Sequence, residues 1–285
     1  MSVPLSKLGI GAGQFRLEGV HAPRGRSPEA EVGEILSVAA RSGLRVFDTS
    51  SSNYAEAVVG AHLPKPCRFR MMVKTGRIDR GPDSVEADAR ASLRRLGLQC
   101  ADAIIVQVAG DLFGPQGNDV WRRLLSLRDE GLFQFVGVSA HASDDPLGVV
   151  KRFKPDIIQA PASLLDQRLL IDGTLATLAE WGVEVQLRSI FLQGLLFLEA
   201  LPMKLQAAAP HLKTIKAKIA QAGSTPLAAA LGFVLARPEI AYGVVGVTGV
   251  AELDEILAAA RSPRPELDWA ALALKDEMVL TPSLW

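Results

Sequence analysis

The stretch "RMMVKTGRIDRGPDSVEADARASLRRLGLQCADAIIVQV", residues 70–108, contains the pattern that decides the fold class. It begins and ends with short, continuously apolar runs, which are typical of parallel strands covered on both faces. Between them, apolar residues recur at helical spacing, at Val85, Ala89, Leu93 and Leu96. Ser84 is placed to cap this helix and Gly97 to end it. The stretch therefore predicts a strand–helix–strand unit.

The same alternation continues along the whole chain. Strands are predicted at residues 7–13, 45–50, 70–75, 102–108, 134–140, 156–162, 183–190 and 242–247. Helices are predicted between them; the one at "STPLAAALGFVLARP" has a Ser/Thr cap, Pro226 in its first turn and Pro238 after its end. Eight strands alternating with helices predict a single-domain α/β fold over residues 1–285, a (β/α)8 TIM barrel. A doubly wound sheet is the alternative.

The composition limits the classes of function. The 285 residues are 48% hydrophobic, and basic and acidic residues number 31 each, so no basic surface for nucleic acid or anionic membrane is expected. The apolar runs are too short to span a bilayer, and no signal peptide is recognised. Cys67 and Cys100 lack C-x-x-C spacing and indicate reduced, structural thiols. We expect a cytoplasmic monomer or homodimer without a metal site.

Polar residues stand where the predicted strands end. In barrels of this type, catalytic groups cluster at the carboxyl ends of the strands. The residues at these ends are Asp48, Lys74, Gln107, Ser139, Gln159, Arg188 and Thr248. Strands two, three and four are neighbours, so Asp48, Lys74 and Gln107 can converge. By contrast, Gly9, Gly11 and Gly13 lie within a strand rather than at a phosphate-binding turn, which is weak evidence for a Rossmann site.

The chemistry of Asp48, Lys74 and Tyr54 suggests an acid–base cluster. A lysine in an apolar strand needs a partner for its charge, and Asp48 on the adjacent strand can provide it. A cation near a tyrosine favours the phenolate, so such a cluster makes a phenol a usable acid near neutral pH. The alternative is a buried structural ion pair with Tyr54 on the surface.

Seven segments, taken together, resemble the aldo-keto reductases. They are "FDTSSSNYAEAVVG", "VKTG", "SLRRLGLQCADAIIVQ", "VGVSAH", "DIIQAPASLLDQR", "LRSIFLQGLL" and "YGVVGVTGVAELDEIL", in family order and over nearly the whole chain. The resemblance implies a (β/α)8 barrel that binds a nicotinamide dinucleotide, NADP or NAD, without a Rossmann domain. It also implies hydride transfer to a small carbonyl substrate, with a tyrosine as the proton donor.

The catalytic residues implied by this resemblance are Asp48, Lys74, Tyr54 and Gln107. The family pattern places the tyrosine five residues after the acid, where this chain has Asn53; Tyr54 is one residue further on. On a helix, one residue rotates a side chain by roughly 100°. Tyr54 is the expected acid; the alternatives are that Asn53 is an inert replacement for the tyrosine, or that the acid comes from elsewhere. Gln107 replaces the usual histidine and can donate a hydrogen bond without titrating.

The cofactor-binding residues implied by the resemblance are Gly11, Ala12, Asp48, Ser139, Gln159, Arg188, Ser189, Ile190, Leu192, Gly194, Gly246, Val247, Thr248 and Glu252. Ala140 stands where the family has an asparagine, and Arg188 where many members have an aromatic that stacks on nicotinamide. The backbone from Ser189 to Gly194 would wrap the pyrophosphate. Glu252 would repel a 2′-phosphate, which predicts no strong preference for NADPH; an ordinary surface glutamate is the alternative.

Other functions remain open at this point. The displaced tyrosine, Gln107 and Ala140 also fit a nucleotide-binding protein that has lost turnover, in a regulatory or interaction role. A lyase or isomerase that uses Lys74 as a base is a third possibility. The substrate depends on loops at 20–29 and 108–118 and on the carboxyl-terminal segment, where Trp285 can line the pocket or pack at the surface. His21 and His141 lie in loops near the expected site.

Overall fold

The computed structural model describes residues 5–15, 29–49 and 53–285. Eight parallel strands close into one barrel, in the order β1 to β8, with β1 paired to β8. The strands are β1 Leu8–Gly11, β2 Val46–Asp48, β3 Arg70–Lys74, β4 Ala101–Val106, β5 Phe133–Ser139, β6 Ile157–Pro161, β7 Glu184–Arg188 and β8 Tyr242–Gly246. The predicted single-domain (β/α)8 barrel is confirmed, and the doubly wound sheet is excluded because its edges would not pair.

Helices surround the barrel. They are α1 Glu29–Arg41, α2 Asn53–His62, α3 Pro82–Leu96, α4 Gly117–Asp129, α5 Pro146–Phe153, α6 Arg168–Ile171, α7 Thr174–Glu180, α8 Ala209–Gln221, α9 Pro226–Leu235, α10 Val250–Arg261 and α11 Glu277–Leu280. Among the helices of the described ranges, none combines the length and the hydropathy that a membrane crossing needs. The bounds of the single domain, residues 1–285, stay a prediction, since residues 1–4 are not described.

The core has two layers because strand side chains alternate between two faces. The inner layer fills the barrel with Val46, Met72, Ala103, Ile105, Ile157 and Val244. The outer layer packs residues such as Phe47 and Val73 against the helices. Counting in steps of two from Val46 and Met72 along their strands leads to Asp48 and Lys74. The inward-facing rows therefore end in polar residues at the carboxyl mouth.

Glycines in β1 serve barrel closure. A Cβ added at Gly9 would lie 3.0 Å from the Cβ of Val46, and one at Gly11 would lie 3.2 Å from a methyl carbon of Val244. Both are tight contacts between neighbouring strands, so a side chain would push the strands apart. These glycines let β1 lie close to its neighbours. This packing role agrees with the sequence analysis, in which they are only weak evidence for a phosphate-binding turn.

Helix ends follow the predictions in two cases and depart from them in one. Gly97 ends α3 in the left-handed region with φ of 66°, and Thr225 caps α9 by accepting from the Ala228 N–H at 3.2 Å. The prediction that Ser84 caps α3 is wrong. That helix begins two residues earlier, at Pro82, because proline's fixed φ suits a first helical position. The buried Ser84 hydroxyl has no hydrogen-bond partner among the described residues.

Candidate active site

An ion pair stands at the carboxyl ends of β2 and β3. The Lys74 Nζ lies 3.1 Å from the Asp48 Oδ1, and the Lys74 side chain is only 5% exposed. Burial lowers the pKa of Lys74, the adjacent Asp48 carboxylate opposes this by charge and hydrogen bonding, and Arg188 adds to the lowering. The expected convergence of Asp48 and Lys74 is therefore present in the fold.

Gln159 joins this pair from β6, on the other side of the barrel. Its Oε1 accepts a hydrogen bond from the Lys74 ammonium, and its Nε2 donates to the Asp48 Oδ1 at 3.1 Å. The same Nε2 donates to the Gln186 Oε1 at 3.0 Å. The Gln159 side chain thus contacts both members of the ion pair, and its predicted role toward a cofactor stays a prediction.

A polar column continues from Gln159 to the amino end of the barrel. Gln186 donates through Nε2 to the Glu184 carboxylate at 2.6 Å, and Glu184 accepts from the Arg70 guanidinium at 2.9 Å. Burial opposes the charge of Arg70, but hydrogen bonding to Tyr242 and the charge of Glu184 raise its pKa. Sequence reasoning missed this column, which we define as Arg70, Glu184, Gln186 and Gln159. The alternating polar residues of "EVQLR" in β7 could have indicated it.

Arg188 ends β7 and turns toward β5. Its Nε donates to the Ser139 Oγ at 3.1 Å, and one Nη donates to the Ala140 carbonyl oxygen at 3.0 Å. The same Nη lies 3.3 Å from the Nδ1 of His141. Burial lowers the pKa of Arg188, while the more distant carboxylates of Asp48 and Asp144 oppose the lowering. Ser139 and Arg188 thus meet at one side of the mouth.

Tyr54 lies in the first turn of α2, which begins at Asn53. Its hydroxyl donates to the Glu29 carboxylate at the start of α1, at 2.7 Å. Glu29 was not among the predicted residues, and nothing in its local sequence indicates this contact. The proton-donor role of Tyr54 stays a prediction.

Gln107 directly follows β4, and its side chain is exposed. Its backbone N–H donates to the Thr75 hydroxyl at 3.1 Å, which joins the ends of β3 and β4. Counting in steps of two from Ala103 and Ile105, Gln107 belongs to the inward-facing row of its strand. Its backbone is therefore fixed at the mouth, and its role toward a substrate stays a prediction.

The segment after β7 has an unusual backbone. Positive φ angles occur at Ser189 (56°), Leu192 (44°), Gln193 (54°) and Gly194 (79°). Ile190 and Leu192 are almost fully buried, and the Leu192 N–H donates to the Ser189 carbonyl oxygen at 2.8 Å. Successive N–H groups in such conformations form concavities that suit phosphate oxygens. The predicted pyrophosphate role of this segment stays a prediction.

Two carboxylates occupy the start of α10. The Glu252 Oε2 accepts from the N–H of Thr248 at 2.7 Å and from its hydroxyl at 2.8 Å. The Glu31 Oε2, from α1, accepts from the Val250 N–H at 3.0 Å. Glu252 is therefore part of the helix start, and Glu31 is an acidic neighbour that the sequence did not indicate. Gly246 and Val247 lead from β8 into this turn.

The remaining predicted cofactor residues lie at the end of β1. Gly11 is in register with both Asp48 and Gly246, and Ala12 is buried directly after it. A Cβ at Gly246 would meet the terminal amide of the Gln14 side chain, which would have to move aside. Elsewhere, the indole of Trp285 donates to the Met278 carbonyl oxygen at 3.1 Å. His21 lies outside the described residues.

The chain belongs to the Aldo/keto reductase family, whose model it matches over residues 7–277. The closed barrel agrees with this family, and the recognition made from sequence motifs is confirmed. A solved aldo-keto reductase from Bacillus halodurans, in its holo form, superposes with a TM-score of 0.78 and 18% identity, covering 98% of this chain and 93% of that one. At this identity, the likeness shows the fold.

Relatives found by sequence are more similar in identity, but they match only part of the chain. An aldo-keto reductase of Mycolicibacterium vanbaalenii is 32% identical over 134 residues, 44% of this chain and 47% of that protein. One of Mycolicibacterium smegmatis matches over 44% of its length, so both alignments span less than half of the relative. The NADH-specific methylglyoxal reductase of Escherichia coli is 28% identical over 219 residues, 68% of this chain and 66% of that protein.

Proposed function

We propose that the protein reduces a small aldehyde or ketone, or oxidises the corresponding alcohol, with NADH or NADPH. The observation that carries this proposal is the buried Lys74–Asp48 ion pair at the mouth of an aldo-keto reductase barrel. A buried ion pair costs desolvation, and hydrophobic residues of similar volume often stabilise a core equally well. Its position at the carboxyl ends of the strands, where barrel enzymes carry out their chemistry, favours a catalytic reason for keeping it.

The residues of the β7 segment suit the cofactor. Four of the six residues from Ser189 to Gly194 have positive φ angles, and N–H groups of this segment would bind a pyrophosphate. When bound, the nicotinamide supplies the hydride. Ser139 and Arg188, already joined by a hydrogen bond, would stand beside the nicotinamide end, as the family resemblance implies. Glu252 and Glu31 would stand beside the adenosine end.

In this proposal, Tyr54 provides the proton, and the ion pair adjusts its acidity. The Lys74 ammonium, held charged by Asp48, would stabilise a phenolate and so lower the cost of proton donation. The Tyr54 hydroxyl would exchange Glu29 for the reacting oxygen when substrate binds. Gln107 would donate an amide hydrogen bond that polarises the carbonyl.

A second candidate is a dinucleotide-binding protein without turnover. The hydrogen bond between Tyr54 and Glu29 favours it, because it engages the proposed proton donor with a carboxylate outside the Lys74 cluster. The absence of a histidine at Gln107 removes a second titrating group. Tight cofactor binding without consumption would support this candidate. Activity in cofactor-stripped protein would instead support a lyase or isomerase that uses Lys74 as a base.

The test combines cofactor titration with a carbonyl screen. Fluorescence titrations with NADH and NADPH establish binding, and oxidation of the bound cofactor is then followed with small aldehydes, ketones and methylglyoxal. Lys74→Met should reduce turnover strongly; because it leaves Asp48 buried without its partner, Asp48→Asn/Lys74→Met is the folding control. Binding without cofactor oxidation across the whole screen would contradict the reductase proposal.

A further inference from the structure

The Arg188 guanidinium is held by neutral groups of the residues that the structure describes. Within the described ranges, it contacts the Ser139 hydroxyl, the Ala140 carbonyl oxygen and the His141 ring, all of them neutral acceptors. In the ranges the structure describes, no Asp or Glu forms an ion pair with this guanidinium, although most other part-buried arginines have one, as Arg70 does with Glu184. A buried cation with only neutral partners is costly unless an anion completes it.

The Arg188 guanidinium faces a cavity. The cavity has a volume of about 360 Å³ and lies between the segments after β5, β6 and β7 and the carboxyl-terminal residues. Polar groups on its wall include Ser143, Gln193 and Thr281, together with His141 and Arg188. This is room for a small organic molecule whose polar atoms meet several hydrogen-bond donors.

The other charged groups of the cavity are already paired. Arg168 forms a two-point hydrogen bond with Asp166, at 2.9 and 2.8 Å, and lies 4.0 Å from Glu277. The Glu277 side chain is 79% exposed, so water screens its charge. Arg188 is therefore the uncompensated charge on the described part of the wall.

His141 adds a neutral donor beside Arg188. Burial lowers the pKa of His141, and the charge of Arg188 lowers it further. The charge of Asp144 raises this pKa and so opposes both effects. The ring is therefore neutral at pH 7. Because its Nδ1 faces an Arg188 N–H donor at 3.3 Å, the ring proton resides on Nε2. An anion in the cavity can thus meet both a guanidinium and an imidazole N–H.

We propose that Arg188, together with His141, binds a carboxylate or phosphate group carried by the carbonyl substrate. This inference rests on the proposed reductase function and narrows its substrate class to small oxo acids and related anionic aldehydes. Ser139, bonded to Arg188, is in register with Gln159, which contacts Lys74. Neighbouring strands lie about 4.8 Å apart. The anionic group and the reacting carbonyl should therefore be only a few bonds apart.

The experiment compares two aldehydes that differ in one charge. Succinic semialdehyde carries a carboxylate, and methyl 4-oxobutanoate carries the neutral ester at the same position. Values of kcat/KM are measured for the wild type, Arg188→Met, Arg188→Lys and Arg122→Met. Arg122→Met is the matched control, because it removes an arginine whose side chain is 77% exposed, outside the cavity. Thermal unfolding establishes that each variant is folded.

The acid-to-ester ratio of kcat/KM should fall by about 10- to 100-fold in Arg188→Met, as expected for a lost charge-assisted hydrogen-bond pair. It should fall less in Arg188→Lys and stay unchanged in Arg122→Met. An unchanged ratio in folded Arg188→Met would overturn the inference. An equal loss for both aldehydes, with a matching rise in the Kd of NADH, would also overturn it, because Arg188 would then bind a cofactor phosphate.

A binding measurement separates this inference from the proposed reaction. Succinate, which cannot be reduced, is titrated by calorimetry into the wild type and Arg188→Met, with succinamide as the neutral comparison. If succinate binding depends on Arg188 although neither aldehyde is reduced, the anion site stands and the reductase proposal fails. If both aldehydes are reduced and succinate binds both proteins equally, the reductase proposal stands and the anion site fails.

Discussion

At Tyr54, the local sequence and the tertiary contacts indicate different roles for the side chain. Its place near Asp48 in the chain suggests an acid, and its hydroxyl donates to the Glu29 carboxylate at 2.7 Å. A residue of α1 thus holds the phenol of a residue of α2. If Tyr54 acts as an acid, this hydrogen bond is the ground-state contact that must be exchanged for the substrate.

We expect Tyr54→Phe to keep the fold and the affinity for cofactor and to lower turnover by about 10²- to 10⁴-fold, the usual value of general acid assistance. Steady-state kinetics with the best carbonyl substrate measures this. Glu29→Ala, which removes this acceptor, should keep or raise turnover. Asn53→Ala should cost far less than Tyr54→Phe, since an amide cannot provide a proton. Full activity in Tyr54→Phe would show that a group other than the Tyr54 hydroxyl donates the proton.

The second prediction at the scale of residues concerns Glu252 and Glu31. Both carboxylates accept backbone N–H groups at the start of α10, so a 2′-phosphate there would meet two negative charges. We expect NADPH not to bind much more tightly than NADH, as measured by fluorescence titration. Glu252→Gln should shift the ratio of dissociation constants toward NADPH. A hundredfold preference of the wild type for NADPH, about 2.7 kcal/mol, would contradict the prediction.

At the scale of elements, the starts of α3 and α9 contrast two ways of beginning a helix. Both have proline in the first position, but only α9 has a side-chain cap, from Thr225. In α3 the start is made by Gly81 with φ of 88°, which a residue with a side chain rarely adopts. Ser84, the residue that resembles a cap, is inside the helix with a buried hydroxyl.

We therefore expect Thr225→Ala to lower the free energy of unfolding by about 1 kcal/mol, the usual contribution of a side-chain cap. Ser84→Ala should not lower it, because the substitution removes a buried polar group that has no partner in the described ranges. Urea denaturation of the two variants and the wild type measures the difference. Equal losses in both variants would show that Ser84 contributes as a cap after all.

At the scale of the whole molecule, the polar column crosses the barrel interior from end to end. Arg70 orients Glu184, which can only accept; Glu184 therefore orients the amide of Gln186. Gln186 in turn orients Gln159 with its oxygen toward Lys74 and its amino group toward Asp48. The charge at the amino end thus determines the amide orientations beside the candidate active site.

Replacing Gln186 by leucine should destabilise the protein by about 1–3 kcal/mol, because buried groups of Gln159 and Glu184 lose a partner. Gln186→Glu is the second variant, because it retains the size of the side chain and places a second carboxylate beside Glu184. Its loss of stability should be larger than that of Gln186→Leu. Denaturant unfolding measures both. A Gln186→Leu variant as stable as the wild type would mean that the column contributes no net stability.

The family motifs brought Asp48 and Lys74 together correctly, and the structure joins them through Gln159. They did not indicate the bond between Tyr54 and Glu29, the Glu31 carboxylate at α10, or the contacts of Arg188 with β5. These contacts join residues 25, 219 and 49 positions apart, respectively. Local pattern contains no information on such pairs, because helix packing and barrel closure determine which side chains meet.

By itself, the sequence determined the number and order of the strands, the helices between them and the strand ends that carry polar residues. Hydrophobic periodicity and the positions of glycine and proline are properties of consecutive residues, so they can be identified from the sequence alone. Only the tertiary structure decided the polar column and the cavity beside Arg188. Each of these depends on the space and hydrogen-bond partners that distant segments leave to a side chain, and only the closed barrel defines that space.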